Sequence, residues 1–267
     1  MPGAAHLLVI GSATMARSPN ARRYWSWHRW LGLALLLPLI WWAATALVFV
    51  VRPIDETRGR IWSTGRTADP ATLVAVRLPA AEALVGVRRL TVGVVEGHQV
   101  LVLDRGKEHE PEVYDQASGH ALGAAIPPEW ALDGARRDFD GPFNPDAVYL
   151  LPRQGPARLV LGAGPSEAAR TDEYAGPLPA YAVHLRGAPG MRLYVDALDG
   201  EVRARRTSWW RLYDWAFRLH ALDFLPDGAK RAVIWLVVLA WFGLGATGLK
   251  LAVTWLRRPS HRPRASS

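Results

Sequence analysis

Two long apolar stretches, at residues 30–51 and 232–256, constrain this 267-residue chain more than any other feature. The first contains no charged residue, and the second contains only Lys250. The hydrocarbon core of a membrane is about 30 Å thick, and about 20 apolar residues in an α-helix cross it. Both stretches are long enough, so the sequence predicts two transmembrane helices and a lipid bilayer as a partner of the chain.

Arginine-rich flanks predict how these helices are oriented. Cytoplasmic flanks of membrane helices carry an excess of Lys and Arg, so we expect residues 1–29 and 257–267 to be cytoplasmic. The main domain, 52–231, is then periplasmic, and the chain is a multi-pass protein of the cell inner membrane. The formal net charge of +8 resides in the tails, which leaves no basic stripe for nucleic acid on the main domain. The flanking arginines are Arg17, Arg22, Arg23, Arg29, Arg257, Arg258, Arg262 and Arg264.

The segment between the apolar stretches predicts an α+β fold. Short β-type runs separated by Gly and Pro indicate two units, 52–125 and 161–206, each a helix followed by an antiparallel three-stranded meander. Residues 126–160, rich in Pro and Gly, are predicted to connect the units, although apolar runs at 147–151 and 157–161 leave further strands open. The predicted helices are 79–87 and 166–173, and the predicted strands are 88–95, 99–103, 112–115, 180–186, 191–196 and 201–205.

Similar turns end a strand in each predicted unit. Asp115 closes one strand and Gly119 follows four residues later, and Asp196 and Gly200 repeat this spacing. Glycine at such a position supplies the positive φ that the turn requires. The match suggests an internal repeat.

The second turn carries a resemblance to a known family. A helix on a small antiparallel sheet, ending in the Tyr-Val-Asp-x-x-x-Gly-Glu-Val pattern of residues 194–202, resembles the PepSY domain. The segments 27–33, 219–220 and 247–249 resemble the PepSY-associated transmembrane family. The chain departs from that family at residues 45–47, where Thr-Ala-Leu stands in place of Thr-Gly-Leu. The resemblance implies one or two PepSY-like units between two transmembrane helices.

A Gly-x-Gly-x-x-Gly sequence lies within the second apolar stretch. This dinucleotide fingerprint works only at a turn between a strand and a helix, so we reject a nucleotide site. Small residues in a membrane helix allow another helix to approach closely. We therefore predict a helix-packing face made by Gly243, Gly245, Gly248 and Thr247.

Residues 207–225 are predicted to form an amphipathic helix at the outer membrane interface. Arg211, Asp214 and Arg218 fall on one side of such a helix. His220 lies on the opposite, aromatic face, where it either makes an ordinary hydrogen bond or binds a cofactor. Relatives in the resembled family that reduce ferric siderophores carry b-type haem on membrane histidines, which makes His28 and His220 candidate ligands. We expect the two at opposite faces of the bilayer, about 30 Å apart, so that paired haem sites would require a homodimer.

Two classes of function remain open at this stage. Motifs for a catalytic nucleophile, a zinc hydrolase or a phosphate-binding loop are absent, and the chain has no cysteine, so we expect neither a catalytic residue nor a metal cluster. The resemblance favours a non-catalytic binding or regulatory module that restrains a peptidase or another periplasmic protein. The alternative is a membrane redox subunit with haem b, linked to ferric siderophore reduction or iron uptake. An accessory subunit of a siderophore or metal transporter is a third possibility.

Overall fold

The computed structural model describes residues 19–66, 75–164, 171–187 and 190–257. The chain divides into two compact units. The first, which we call the helical unit, contains the chain up to Ala46 and from Arg218 onward. The second, the sheet unit, is Leu47–Phe217. Each unit is described by itself below.

The helical unit is built from two long helices, α1 (Pro19–Val51) and α5 (Asp227–Leu256). Among the described residues, two helical segments, Arg22–Val51 and Asp227–Leu256, are long and apolar enough to cross a membrane. Most of their apolar side chains are exposed, and Leu37 and Phe242 are each 74% exposed. In water such exposure would be costly, whereas lipid suits it. The predicted spans, 30–51 and 232–256, lie within these helices.

Small residues bring α1 and α5 together. A side chain added at Gly243 would lie 3.4 Å from Leu31 Cδ1, and one added at Gly32 would lie 3.8 Å from Leu244 Cδ1. The absence of a Cβ at these two positions therefore lets the opposite leucine approach the helix backbone, as is usual in membrane helix pairs.

The sheet unit begins with a four-stranded antiparallel meander in the order β1-β2-β3-β4. Its first three strands agree with the predicted ones to within about two residues, because alternating apolar residues and Gly turns are local signals. The expected helix at 79–87 is instead a short 3₁₀ turn at Ala81–Leu84. Gly86, with φ of +75°, ends it before a helical turn can continue. The strands are β1 (Arg89–Val95), β2 (His98–Asp104), β3 (Glu112–Asp115) and β4 (Ala121–Gly123).

A second antiparallel sheet has five strands in the order β6-β5-β7-β8-β9. The interval 126–160, expected to be a connection, in fact contains helix α3 (Pro128–Asp138), strand β5 and the beginning of β6. The Pro-rich sequence at 127–128 starts a helix here, because Pro is favoured in a first helical turn. The strands are β5 (Pro145–Leu151), β6 (Arg158–Gly162), β7 (Ala180–Leu185), β8 (Arg192–Asp196) and β9 (Val202–Arg206).

Both sheets and α3 share one hydrophobic core. Val100 and Val113 of the first sheet lie in the same buried cluster as Val183 of the second sheet and Ala131 of α3. The two predicted units therefore fold as one body rather than as two separate domains. The helix expected at 166–173 lies mostly outside the described residues, and only a 3₁₀ turn at Thr171–Glu173 is seen.

Helix α3 packs closely at Gly134 against the turn that contains Asp196 and Gly200. A Cβ added to this residue would overlap the carbonyl oxygen of Gly200. We expect Gly134→Ala to destabilise the sheet unit by about 1–3 kcal/mol, since overpacking forces backbone shifts. Pulse proteolysis in urea of the full chain in detergent measures this loss. Asp133→Ala adds the same residue at the exposed neighbouring position and should cost little, so an equal loss in both variants would contradict the steric explanation.

The predicted amphipathic helix is α4 (Ser208–His220). The described residues between α1 and the first sheet form the short α2 (Ile54–Thr57) and two 3₁₀ turns, Arg60–Trp62 and Ala81–Leu84. The helix α4 ends before the predicted limit of 225, because Leu222 has φ of +58° and Pro226 precedes α5. Its Ala216 is fully buried, whereas Trp215 is 59% exposed. The face with Ala216 therefore packs against protein, and Trp215 points away from it.

Candidate functional site

A histidine on α1 is held by a threonine on α5. His28 Nδ1 lies 3.1 Å from Thr247 Oγ1 and 3.2 Å from the carbonyl oxygen of Leu244. The Thr247 hydroxyl donates within its own helix, at 2.9 Å from the carbonyl oxygen of Gly243. A hydroxyl that donates to a carbonyl can still accept, so we assign the proton of the His28 ring to Nδ1. The Nε2 atom of His28 then carries the lone pair of the ring.

A second pair has the same chemistry, with the threonine on α1 and the histidine at the end of α4. His220 Nδ1 lies 2.9 Å from Thr45 Oγ1 of α1. The Thr45 hydroxyl also donates within its helix, at 3.0 Å from the carbonyl oxygen of Trp41, and only 8% of Thr45 is exposed. His220 is therefore also assigned its proton on Nδ1. Thus α1 gives a histidine to one pair and a threonine to the other.

Two tryptophans fix the chain beside His220. Trp42 Nε1 donates to the carbonyl oxygen of His220 at 3.0 Å, and Trp41 Nε1 donates to that of Leu219 at 3.2 Å. Carbonyl groups at the end of a helix have no partner within the helix, and the indole N–H groups supply partners at the end of α4. Sequence reasoning placed these tryptophans in the first span without assigning them this contact.

The glycines of the predicted packing face have different surroundings. A Cβ at Gly248 would lie 3.1 Å from His28 Cε1, so the absence of a side chain leaves space for the His28 ring. Gly243 contacts α1 as described above, whereas Gly245 has nothing within 4 Å of an added Cβ. Gly243, Thr247 and Gly248 therefore face α1, whereas Gly245 does not take part in the contact between α1 and α5.

Gly245 instead lines an apolar groove in the helical unit. The groove has a volume of about 790 Å³, which falls within the usual range of ligand pockets. Its polar groups include the ring of His220, and the rest of the lining is mostly aliphatic and aromatic. The lining residues are Trp42, His220, Ile234, Val237, Val238, Trp241, Phe242, Gly245 and Ala246.

The two histidine sites are far apart along α1. His28 and the partner of His220, Thr45, are 17 positions apart in one continuous helix, which at 1.5 Å per residue is about 25 Å. Two histidines that hold the same haem would both have to reach its iron. The His28 and His220 of one chain therefore cannot ligate the same haem.

The turn motifs of the sheet unit share a hydrogen-bond pattern. The Gly119 N–H donates to the carbonyl oxygen of Asp115 at 2.8 Å, and the Gly200 N–H donates to that of Asp196 at 3.0 Å. Both glycines have positive φ, +75° and +73°. Each aspartate side chain also accepts from an N–H two residues later. These four residues cap turns, and no described contact gives them a chemical role.

A buried carboxylate in the sheet unit was missed by sequence reasoning. Glu173 is 5% exposed and forms ion pairs with Arg211 Nε at 2.8 Å and with Arg192 Nη1 at 2.9 Å. Burial alone would raise the pKa of Glu173, but the two guanidinium groups outweigh burial and hold the pKa below its ordinary value. Arg211, expected on a polar stripe of α4, is thus part of an internal ion pair.

Fold and site together define an α+β protein with two helices able to cross a membrane. In the described part of the chain, no group of three or more His, Cys, Asp or Glu side chains could hold a metal ion. Compared with known proteins, the chain matches no family model, no curated protein and no solved structure. The candidate site therefore depends on the geometry of the helical unit alone.

Proposed function

We propose that this chain is an inner-membrane protein that binds haem b through His28 and His220. In this proposal α1 and α5 span the bilayer, both arginine-rich ends are cytoplasmic, and the sheet unit is periplasmic. The observation that supports it is the two His–Thr contacts, which orient two imidazoles in the helical unit.

The residues present fit a haem iron in three respects. The protons on Nδ1 leave Nε2 as the donor atom of each ring, the usual arrangement for a ligating histidine whose other nitrogen is hydrogen-bonded. Gly248, which has no Cβ, lets the His28 ring pack closely against α5 and so helps to fix its orientation. The groove beside His220 offers the apolar lining that a macrocycle requires.

A homodimer would supply the second ligand at each level of the membrane. Because His28 and Thr45, the partner of His220, are about 25 Å apart along α1, each histidine would pair with the same histidine of the second copy. A two-fold axis brings identical residues together. When bound, haem b supplies a one-electron iron couple. The chain would contribute ring orientation through Thr45 and Thr247, and exclusion of water through the apolar groove.

The visible spectrum of the purified protein tests this proposal. We expect the full chain, purified in detergent from haem-replete cells, to show a Soret band. His28→Ala and His220→Ala should each remove about half of the absorbance per protein, since each removes one of two sites, and the double variant should remove nearly all of it. His120→Ala, an exposed histidine of the sheet unit, is the matched control. Absence of a band in the wild type, or a full band in the double variant, would exclude haem.

The second candidate function is a periplasmic binding module, as the PepSY resemblance implies. It is favoured by strand β1, which pairs only with β2 among the described residues and begins with three exposed residues, Arg89, Leu90 and Thr91. Such an edge can accept a strand from a partner protein. An iron or siderophore transporter is one such partner. A colourless wild-type protein would leave the binding module as the better account.

A further inference from the structure

The sheet unit contains a basic cleft that is separate from both histidine sites. Its volume is about 570 Å³, within the range of small-molecule pockets. One wall comes from the start of β1 and from the loop after β2, and the other from the loops that follow β5 and precede β7. The residues that line this cleft are Arg88, Arg89, Asp104, Gly106, Lys107, Arg153, Gly176, Pro177 and Leu178.

Arg153 forms hydrogen bonds to both walls of the cleft and neutralises its acidic residue, Asp104. Its Nη1 lies 2.7 Å from Asp104 Oδ1, and its Nε donates to the carbonyl oxygen of Leu178 at 2.8 Å. The hydrogen bond from Arg153 lowers the pKa of Asp104 against the opposing effect of burial. Asp104 is therefore an anion whose charge is already matched, and Arg153 is rigidly held.

Three further cations have no carboxylate of a described residue within ion-pairing distance, and the charge of Arg89 also helps to lower the pKa of Asp104. Arg88, Arg89 and Lys107 are exposed, and none of them forms an ion pair with a described residue. The neighbouring Arg105, by contrast, is paired with Glu112 at 2.7 Å. Gly106 has φ of +109°, and an added Cβ would lie 3.3 Å from Arg88 Nη1. The backbone of Gly106 thus supports the Arg88 guanidinium at the rim of the cleft.

We infer that this cleft binds a small, multiply charged oxyanion. Arg88, Arg89 and Lys107 line one cavity, and the only carboxylate among its lining residues is already paired. Guanidinium forks match carboxylate and phosphate oxygens in bidentate geometry. The cavity is larger than a single oxyanion requires, which favours a ligand with two or three anionic groups.

Isothermal titration of the full chain in a non-ionic detergent tests the inference. Citrate and pyrophosphate are the probes, at a fixed 0.1 M ionic strength because charge pairing is screened by salt. We expect saturable binding of at least one probe. The probe that binds more tightly identifies a polycarboxylate or a phosphate site. Arg88→Gln combined with Arg89→Gln should weaken binding by about tenfold or more, since charge-assisted hydrogen bonds are among the strongest in proteins.

A matched variant separates a site from general attraction to a basic protein. Arg158→Gln combined with Arg186→Gln removes the same number of charges from exposed positions that do not line the cleft. This double variant should leave the affinity within about twofold. Failure of both probes to saturate, or an equal loss in the Arg158 and Arg186 double variant, would overturn the inference. The experiment requires no haem, so it is independent of the proposed function.

Discussion

Replacing Glu173 by glutamine is expected to destabilise the sheet unit by about 3 kcal/mol, because it removes the buried anion of two partly buried cations. The carboxylate accepts from Arg211 Nη2 at 3.1 Å as well as from Nε, and it pairs with Arg192 of β8. The backbone of the same residue accepts from Arg206 Nε at 2.9 Å. Glutamine keeps the shape of the side chain and removes only the charge.

Pulse proteolysis in urea of the full chain in detergent measures the loss as a lower midpoint of cleavage within the sheet unit. Glu82→Gln, at an exposed position, is the control and should leave the midpoint unchanged. Because the ion pairs lower the pKa of Glu173, the wild type should also lose stability as the pH falls below the ordinary value of 4.5, and Glu173→Gln should lose less. An unchanged midpoint in Glu173→Gln would show that the ion pairs make no net contribution to the stability of the sheet unit.

Local signals explain why most strands could be predicted from the sequence. In β2 the run of residues 99–103 and its flanking glycine turns are visible without any knowledge of partners, and β8 has the same property. The helix α3 was missed because its flanking Pro and Gly residues suggested a linker. Pro127 and Pro128, followed by Glu129, were the available signal for a helix start.

Contacts between distant parts of the chain could not be predicted in the same way. His28 and His220 stood out by position, but their pairing with Thr247 and Thr45 depends on how α1 and α5 pack. The ion pair of Arg211 with Glu173 joins residues 38 apart in the chain. A helical wheel of α4 alone places Arg211 on a polar face, where solvent is the default partner. The opposite charge becomes visible only in the folded sheet unit.

Protonation of His184 should destabilise the sheet unit at a pH well above the ordinary range of carboxylates. Burial, with help from Arg192, lowers the pKa of this β7 histidine from 6.5 to about 4. Its Nε2 atom is buried and has no described hydrogen-bond partner, and its ring lies 4.9 Å from that of Tyr149. Between pH 6.5 and about 4 the unfolded chain therefore binds a proton at this position that the folded chain does not bind.

His184 alone contributes a loss of folding free energy of about 2 kcal/mol between pH 7 and pH 5. The loss begins as the pH falls through the pKa of His184 in the unfolded chain and is complete near its pKa in the folded chain. Hydrogen exchange of the β7 and β8 amides, corrected for intrinsic rates at each pH, measures it in the full chain. His184→Gln, which cannot titrate, should lose less than about 0.5 kcal/mol over the same interval. His120→Gln, at an exposed position, should retain the wild-type loss. If the His184 variant is as acid-sensitive as the wild type, then the destabilising protonation occurs elsewhere, and burial of a neutral histidine does not control the acid stability of this unit.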